Sequence, residues 1–251
     1  MKKIFLILII LTFLFQLGKN QTSMTAEQNL GSVKVWNMTS ATNDTLGKIY
    51  TIEQTSKIQL LFSPDVNNLT DKTMVVTGTY TSSDDRPAGF AYNENCNQVG
   101  NTQDKYFKPN AYLVFQNGSV SFSEKSNCNS VQVYKLIDDG LIFSDVVNAR
   151  TKQSMIWRLL VQKKWTKEYK DGLKESGVDL MIVDFSIPLT LNQACSYVQG
   201  LQRDTSYQNF SYVSKISGCL LDTGTFRPFL LNGKSCHGNF PTKQSNVIVI
   251  E

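Results

Sequence analysis

The sequence predicts a mainly β protein with α additions. An antiparallel β barrel or sandwich is expected over residues 19–162, followed by an α+β segment over 163–251 that packs on it, either as a separate segment or as part of one continuous domain. Three observations predict this. Short apolar–polar alternations recur between turn residues from Ser32 to Val147. "AYLVFQNGSVSFSE", residues 111–124, alternates on both sides of an Asn-Gly pair, the strongest short hairpin signal. "TLNQACSYVQG", residues 190–200, opens with the Thr-x-x-Gln of a helix capping box and places Leu191, Ala194, Cys195 and Val198 on one face.

The chain begins with Lys2 and Lys3, then "IFLILIILTFLF", residues 4–15. A short basic start and a dozen apolar residues fit a secretory signal, and the run is shorter than the roughly 20 residues a membrane span needs. Residues 1–18 are therefore expected to be a signal peptide cleaved after Gly18, leaving a secreted, extracellular chain of about 230 residues, enough for a large core. Next come "VKVWNM", "KIYTIE", "KIQLLFS", "TMVVTGTYT" and "GFAYNE", all read as strands, and the Asn-Gly hairpin. "VQVYKLIDDGLIFSDVV", residues 131–147, repeats the hairpin plan around Asp139-Gly140. "SMIWRLLVQ" fits a strand and a helix start equally. "WTKEYKDGLKESG", residues 165–177, spaces Trp165, Tyr169 and Leu173 four apart and is read as a helix ending at Gly177, with the lysine-rich run 163–170 on its solvated face. "VDLMIVDF" is a buried strand, the capped helix follows, and the tail mixes short apolar runs with turns before a closing strand, "NVIVI".

The net charge is +4, and removal of Lys2 and Lys3 leaves about +2, so no nucleic-acid partner is expected. A membrane is expected to matter only through the secretory pathway. Six Asn-x-Ser/Thr sequons occur, at Asn20, Asn37, Asn43, Asn68, Asn117 and Asn209. All but Asn20, which lies beside the cleavage point, are retained as glycosylation candidates.

Five cysteines, Cys96, Cys128, Cys195, Cys219 and Cys236, invite disulfides in an oxidising compartment. Their spacing suggests Cys96–Cys128 as a local pair, with a second bridge drawn from the remaining cysteines. The odd thiol is then available for a disulfide-linked dimer. No Cys-x-x-Cys occurs, and the single histidine, His237, cannot complete a Cys2His2 zinc set, so no metal site is expected. "DVNNLTD", residues 65–71, resembles a calcium loop but lacks its fifth-position ligand and sixth-position glycine.

Catalytic constellations are sparse. His237 directly follows Cys236 in the turn-like "NGKSCHGNF". Catalytic dyads are assembled from residues distant in sequence, so the pair is read as a disulfide cysteine beside an incidental histidine. No Gly-x-Ser-x-Gly elbow, dinucleotide fingerprint or phosphate loop occurs, and no catalytic residue or cofactor is expected. Carboxylate chemistry constrains sequence least, and the adjacent pairs Asp84-Asp85 and Asp138-Asp139 read as loop and turn.

Within the hairpin region, "YKLIDDGLIFSDVVNARTKQ" resembles a stretch of the ependymin-related secreted proteins, over those residues and not in the cysteine pattern. The order of strands, helix and strand resembles the calycin plan of lipocalins, although "GSVKVW" departs from that family's Gly-x-Trp opening. Both resemblances imply a cupped sheet around an apolar ligand, and no family is assigned on them. The reading that results is a secreted, N-glycosylated binding protein that encloses an apolar small molecule, with Tyr80, Phe90, Tyr112, Phe115 and Phe122 as pocket candidates. The alternative is an extracellular signalling or adhesion glycoprotein, a pheromone-like soluble factor acting on a cell-surface receptor. A carboxylate-dependent hydrolase is the third.

Overall fold

The computed structural model describes residues 22–82, 84–103, 108–143, 153–201, 210–223, 229–236 and 244–251. The expected signal segment 1–18, Asn20, Asn209, His237 and the end of the second hairpin lie outside them.

The chain builds β1 (Thr22–Asn29), β2 (Val33–Ser40), β3 (Thr45–Ile52), β4 (Ile58–Phe62), a 3-10 turn (Val66–Leu69) and β5 (Met74–Thr77). Then follow β6 (Ala91–Tyr92), β7 (Ala111–Gln116), β8 (Ser119–Ser123), β9 (Ser130–Val133), β10 (Lys135–Asp138) and β11 (Leu141–Ile142). The C-terminal part holds β12 (Trp157–Tyr169), β13 (Lys174–Phe185), helix α1 (Leu191–Gln199), β14 (Phe210–Thr223), β15 (Phe229–Leu231), β16 (Lys234–Ser235) and β17 (Asn246–Ile250). These strands form an eight-stranded sheet in the order β1-β2-β3-β13-β12-β14-β10-β11, a five-stranded sheet β16-β15-β5-β17-β4 and a four-stranded sheet β6-β9-β7-β8. All strand pairings are antiparallel. The mainly β class is as expected, and of the two architectures the sequence allowed the chain adopts the sandwich and not the closed barrel.

Period-2 alternation on β12 and β13 sends successive side chains to opposite faces of the large sheet. Leu160, Leu180 and Ile182 face the two smaller sheets and join Leu60, Val76, Leu113, Phe115, Val131 and Ile248 in an inner core. Leu159, Val161, Met181 and Val183 face the other way and are covered by α1 through Leu191, Ala194, Cys195 and Val198. The helix starts where the sequence says. Thr190 Oγ1 accepts from Gln193 N at 3.3 Å, and Gln193 Oε1 accepts from Thr190 N at 2.9 Å. Its buried C-terminal end is also satisfied. Thr22 Oγ1 donates to Tyr197 O at 3.0 Å, and the buried Lys163 ammonium donates to Leu201 O at 3.2 Å, where a cation also suits the helix dipole. A third, smaller cluster packs Val66 and Leu69 of the 3-10 turn on the outer side of the five-stranded sheet. That turn is the "DVNNLTD" stretch. Asp65 accepts from Asn67 N at 3.0 Å as its cap, and so does the work of a turn residue.

Three expectations are corrected. The helix expected over 165–177 is a long β-hairpin, with Lys167 opposite Glu175 and Trp165 opposite Gly177. Asp171-Gly172 makes its turn, closed by Tyr169 N donating to Leu173 O at 2.9 Å, and the lysine-rich run 163–170 is a strand. With β14 it forms a three-stranded arm, β12 alone being about 40 Å long at 3.3 Å per residue. Secondly, the hairpin expected from residue 131 onward forms around Asp139-Gly140, with β10 pairing β11, but its first arm begins at Lys135. The chain changes sheet at Tyr134, so β9 pairs with β7 while β10 pairs with β11 and β14. Thirdly, Cys96–Cys128 is bridged, but Cys195, Cys219 and Cys236 are thiols, so the expected second bridge is not formed. The reason is layering. Cys195 lies in the helix-side core, Cys219 lies across the sheet in the inner core, and Cys236 is exposed.

Candidate functional site

The register of the large sheet writes the inner face as three rows. One row aligns Asn37, Lys48, Asp184 and Arg158 across β2, β3, β13 and β12. The next aligns Val35, Tyr50, Ile182, Leu160 and, on β14, Cys219. The third aligns Val33, Ile52, Leu180 and Gln162. Chemistry thus changes from charged to apolar along one face, and the two ends of the inner core differ.

The charged end is closed. Arg158 is 0% exposed and Asp184 5%. Arg158 Nε donates to Asp184 Oδ1 at 3.3 Å, and its guanidinium carbon lies 4.9 Å from the Phe229 ring centre. Phe229 meets Tyr50 of the middle row edge-on at 5.4 Å. A buried guanidinium between a carboxylate and an aromatic face is held by charge pairing and cation–π attraction together. Cys236 follows on the same hairpin, its N–H donating to Phe229 O at 3.0 Å. Withdrawal from water and the Asp184 carboxylate raise its thiol pKa, against weaker opposing effects of Lys48 and Arg158. The thiol also donates to Lys234 O at 3.6 Å. These influences keep it protonated, the opposite of an activated nucleophile. Burial pushes the Cys195 thiol up to about 12 and raises that of Cys219 further still.

The apolar end is open. Ile52, Ile58, Val120 and Leu180 floor a cavity of about 400 Å³, rimmed by Glu53, Gln54, Ser56, Ser119, Gln162 and Val178. Two glycines line it. Gly118 sits at φ 75° after Asn117 at φ 51°, the left-handed pair that an Asn-Gly hairpin turn uses, and brings bare backbone to the mouth. Gly177 lines the arm side, and the Trp165 ring covers its other face so closely that a Cβ there would lie 2.4 Å from Trp165 Cζ2. The rim is tied by one backbone and two side-chain hydrogen bonds. Ile58 N donates to Gly118 O at 2.9 Å, Gln162 Nε2 to Val120 O at 3.4 Å, and Gln54 Nε2 to Val178 O at 3.3 Å. Glu53 pairs with Lys34 at 2.6 Å.

The aromatic pocket candidates are dispersed, and none of them lines this cavity. Phe115 is 3% exposed in the inner core, one step behind the cavity as the cross-strand partner of Val120. Phe122 packs against the same core with the Lys135 ammonium 5.4 Å from its ring centre. Tyr112 accepts from Gln132 Nε2 at 3.1 Å, and burial raises its pKa. Tyr80 meets Tyr134 edge-on at 6.1 Å in the helix-side core. Phe90 is 42% exposed and stacks on Tyr92 at 6.4 Å. The residues that do line the cavity are aliphatic, glycine and non-aromatic polar residues whose convergence depends on strand register, which no local pattern carries.

The remaining sequence candidates hold turns or surface positions. Asp138 is bonded to Lys135 and Ser217, and the Lys135 bond lowers its pKa. Asp139 pairs with Lys215 at 3.1 Å. Asp84 binds the Ser82 hydroxyl and Arg86, and these bonds hold its carboxyl far below the usual range. Asn43, Asn68 and Asn117 are exposed and Asn37 is half-buried on β2. Among the described residues no group of three or more His, Cys, Asp or Glu side chains gathers as metal ligands.

No family model matches the chain, and no curated protein matches it. Among solved structures it is similar to the crystal structure of a hypothetical protein from Synechocystis, with 9% sequence identity and a TM-score of 0.47. The match covers 90% of this chain, and the chain spans 61% of the length of that one.

Proposed function

We propose that the protein is an exported, N-glycosylated binding protein that takes an apolar small molecule into the open end of its inner core. The observation that carries this reading is the cavity of about 400 Å³ over Ile52, Ile58, Val120 and Leu180. Sites for small ligands are concave, mostly apolar and furnished with a few polar groups, and their volumes start near 300 Å³. Export is supported by the basic-then-apolar start of the sequence, and the Cys96–Cys128 bridge is compatible with an oxidising compartment. Glycosylation is supported by the exposure of Asn43, Asn68 and Asn117.

Binding accounts for this site better than carboxylate catalysis does. Glycoside hydrolysis uses two carboxyl groups flanking the bond. Among the described residues lining the cavity Glu53 is the one carboxylate, and it is engaged with Lys34. The surface reading has less to stand on. Among the described residues the exposed large apolar side chains are Phe90 before β6, the neighbours Leu141 and Phe143 at β11, Leu173 at the tip of the β12–β13 arm and Val178 on the cavity rim, spread over different elements.

Native mass spectrometry of protein purified from its host, followed by solvent extraction, tests the proposal. An extractable apolar molecule at one per chain is the expected result. No extractable ligand, no uptake of apolar probes and saturable binding to intact cells would reject it in favour of an intercellular signal.

A further inference from the structure

We infer that the ligand carries a hydrogen-bond-donating head, a hydroxyl or an ammonium, rather than a carboxylate. This rests on the pocket reading above and deepens it. The observation is where the hydrogens of the polar rim are spent. Ser56 Oγ donates to Ser32 O at 3.0 Å, and Ser119 Oγ donates to Gln116 O at 2.9 Å. Each hydroxyl has a single hydrogen, so both oxygens are left with lone pairs only. Gln54 and Gln162 turn their amide nitrogens to the carbonyls of Val178 and Val120 at 3.3 and 3.4 Å. An amide's oxygen lies opposite its nitrogen, so this orientation leaves each Oε1 as an acceptor. One oxygen of Glu53 meets Lys34 at 2.6 Å, and the second keeps its lone pairs.

The rim therefore offers two hydroxyl oxygens, two amide oxygens and a carboxylate oxygen as acceptors. Among the lining side chains, one further N–H on each glutamine amide is what stands on the donor side. No lysine or arginine is among the lining residues. A carboxylate head entering this rim would lose its water, meet the Glu53 carboxylate, whose charge Lys34 only partly offsets, and find few side-chain donors. A hydroxyl or ammonium head would satisfy acceptors that are already oriented. The apolar body would lie on Ile58, Val120 and Leu180.

Calorimetric titration of the full chain at neutral pH with decylamine, decanol and decanoate tests this, since the three share a chain and differ at the head. Decylamine and decanol are expected to saturate one site, with decanoate weaker by about tenfold or more. Glu53→Gln separates the two donor heads. The variant removes the charge and keeps an acceptor oxygen, so decylamine is expected to weaken by about three- to fivefold and decanol by less if Glu53 receives the head. An equal change in both, or none, would mean that the head is received by the serine and glutamine oxygens instead. Decanoate binding as tightly as the other two would overturn the donor-head inference and leave the pocket reading standing. Failure of all three to bind would overturn both.

Discussion

The two ends of the inner core lie on the same sheet, a few residues apart along the same strands, yet one is sealed and the other hollow. At the sealed end Arg158 and Asp184 fill the space between the large sheet and Phe229. At the hollow end the equivalent positions carry Gln162 and Leu180, and the facing backbone is Gly118. The difference teaches that a cavity here comes from what side chains do not reach. Gln162 bends its amide to a backbone carbonyl, and the hairpin turn presents its backbone there at Gly118. The charged row contributes to the architecture of the sandwich, and the apolar row contributes space.

Four variants break or sharpen this comparison. Arg158→Ala leaves Asp184 buried without its guanidinium and should cost about 3–5 kcal/mol in urea denaturation. A loss under about 1 kcal/mol would mean the sealed end is not held as described. Replacing Cys96 and Cys128 together with Ser frees a link with a sequence separation of 32 residues that ties the β6 turn to β9 in the four-stranded sheet. Loop-closure entropy sets that cost at about 3–4 kcal/mol, read from the same denaturation midpoint. Thr190→Ala removes the cap of a helix on the far side of the sheet and should cost about 1 kcal/mol, with ligand binding intact. The smallest stability effect belongs to the hollow end. Val178, 37% exposed on its rim, should accept Trp within about 0.5 kcal/mol while closing the mouth. Thiol labelling of the native protein adds a readout at the sealed end, where Cys236 should react slowly while buried Cys195 and Cys219 stay unmodified until the chain unfolds.

Local signals in the sequence account for much of the fold. Asn117-Gly118 marks the β7–β8 hairpin because only a left-handed pair turns that tightly, and the Thr190 capping box marks α1 because both its bonds are local. The β12–β13 hairpin carried an equally local signal, Asp171-Gly172 between charged arms. Its apolar residues Trp165, Tyr169 and Leu173 also fit a helical period, and that pattern hides the turn. In the structure Trp165 and Tyr169 sit on one strand face and Leu173 lies at the tip, 66% exposed. The break at Tyr134, where one apolar run serves two sheets, has no local mark. Neither does the pocket. Aromatic residues on alternating strands marked Phe115 and Phe122 as pocket-forming, yet these fill the core. The cavity is lined by residues from β3, β4, β8, β12 and β13 and their turns, whose meeting is a matter of register between distant strands.

Titration of the wild type and of Val178→Trp with an environment-sensitive apolar probe tests the central claim most directly, because the two chains differ only at the mouth of the cavity. The account predicts one saturable site on the wild type and a loss of affinity of about tenfold or more in a variant that unfolds at the same denaturant concentration. Equal binding by both chains would contradict it, since the probe would then be held somewhere other than between the sheets.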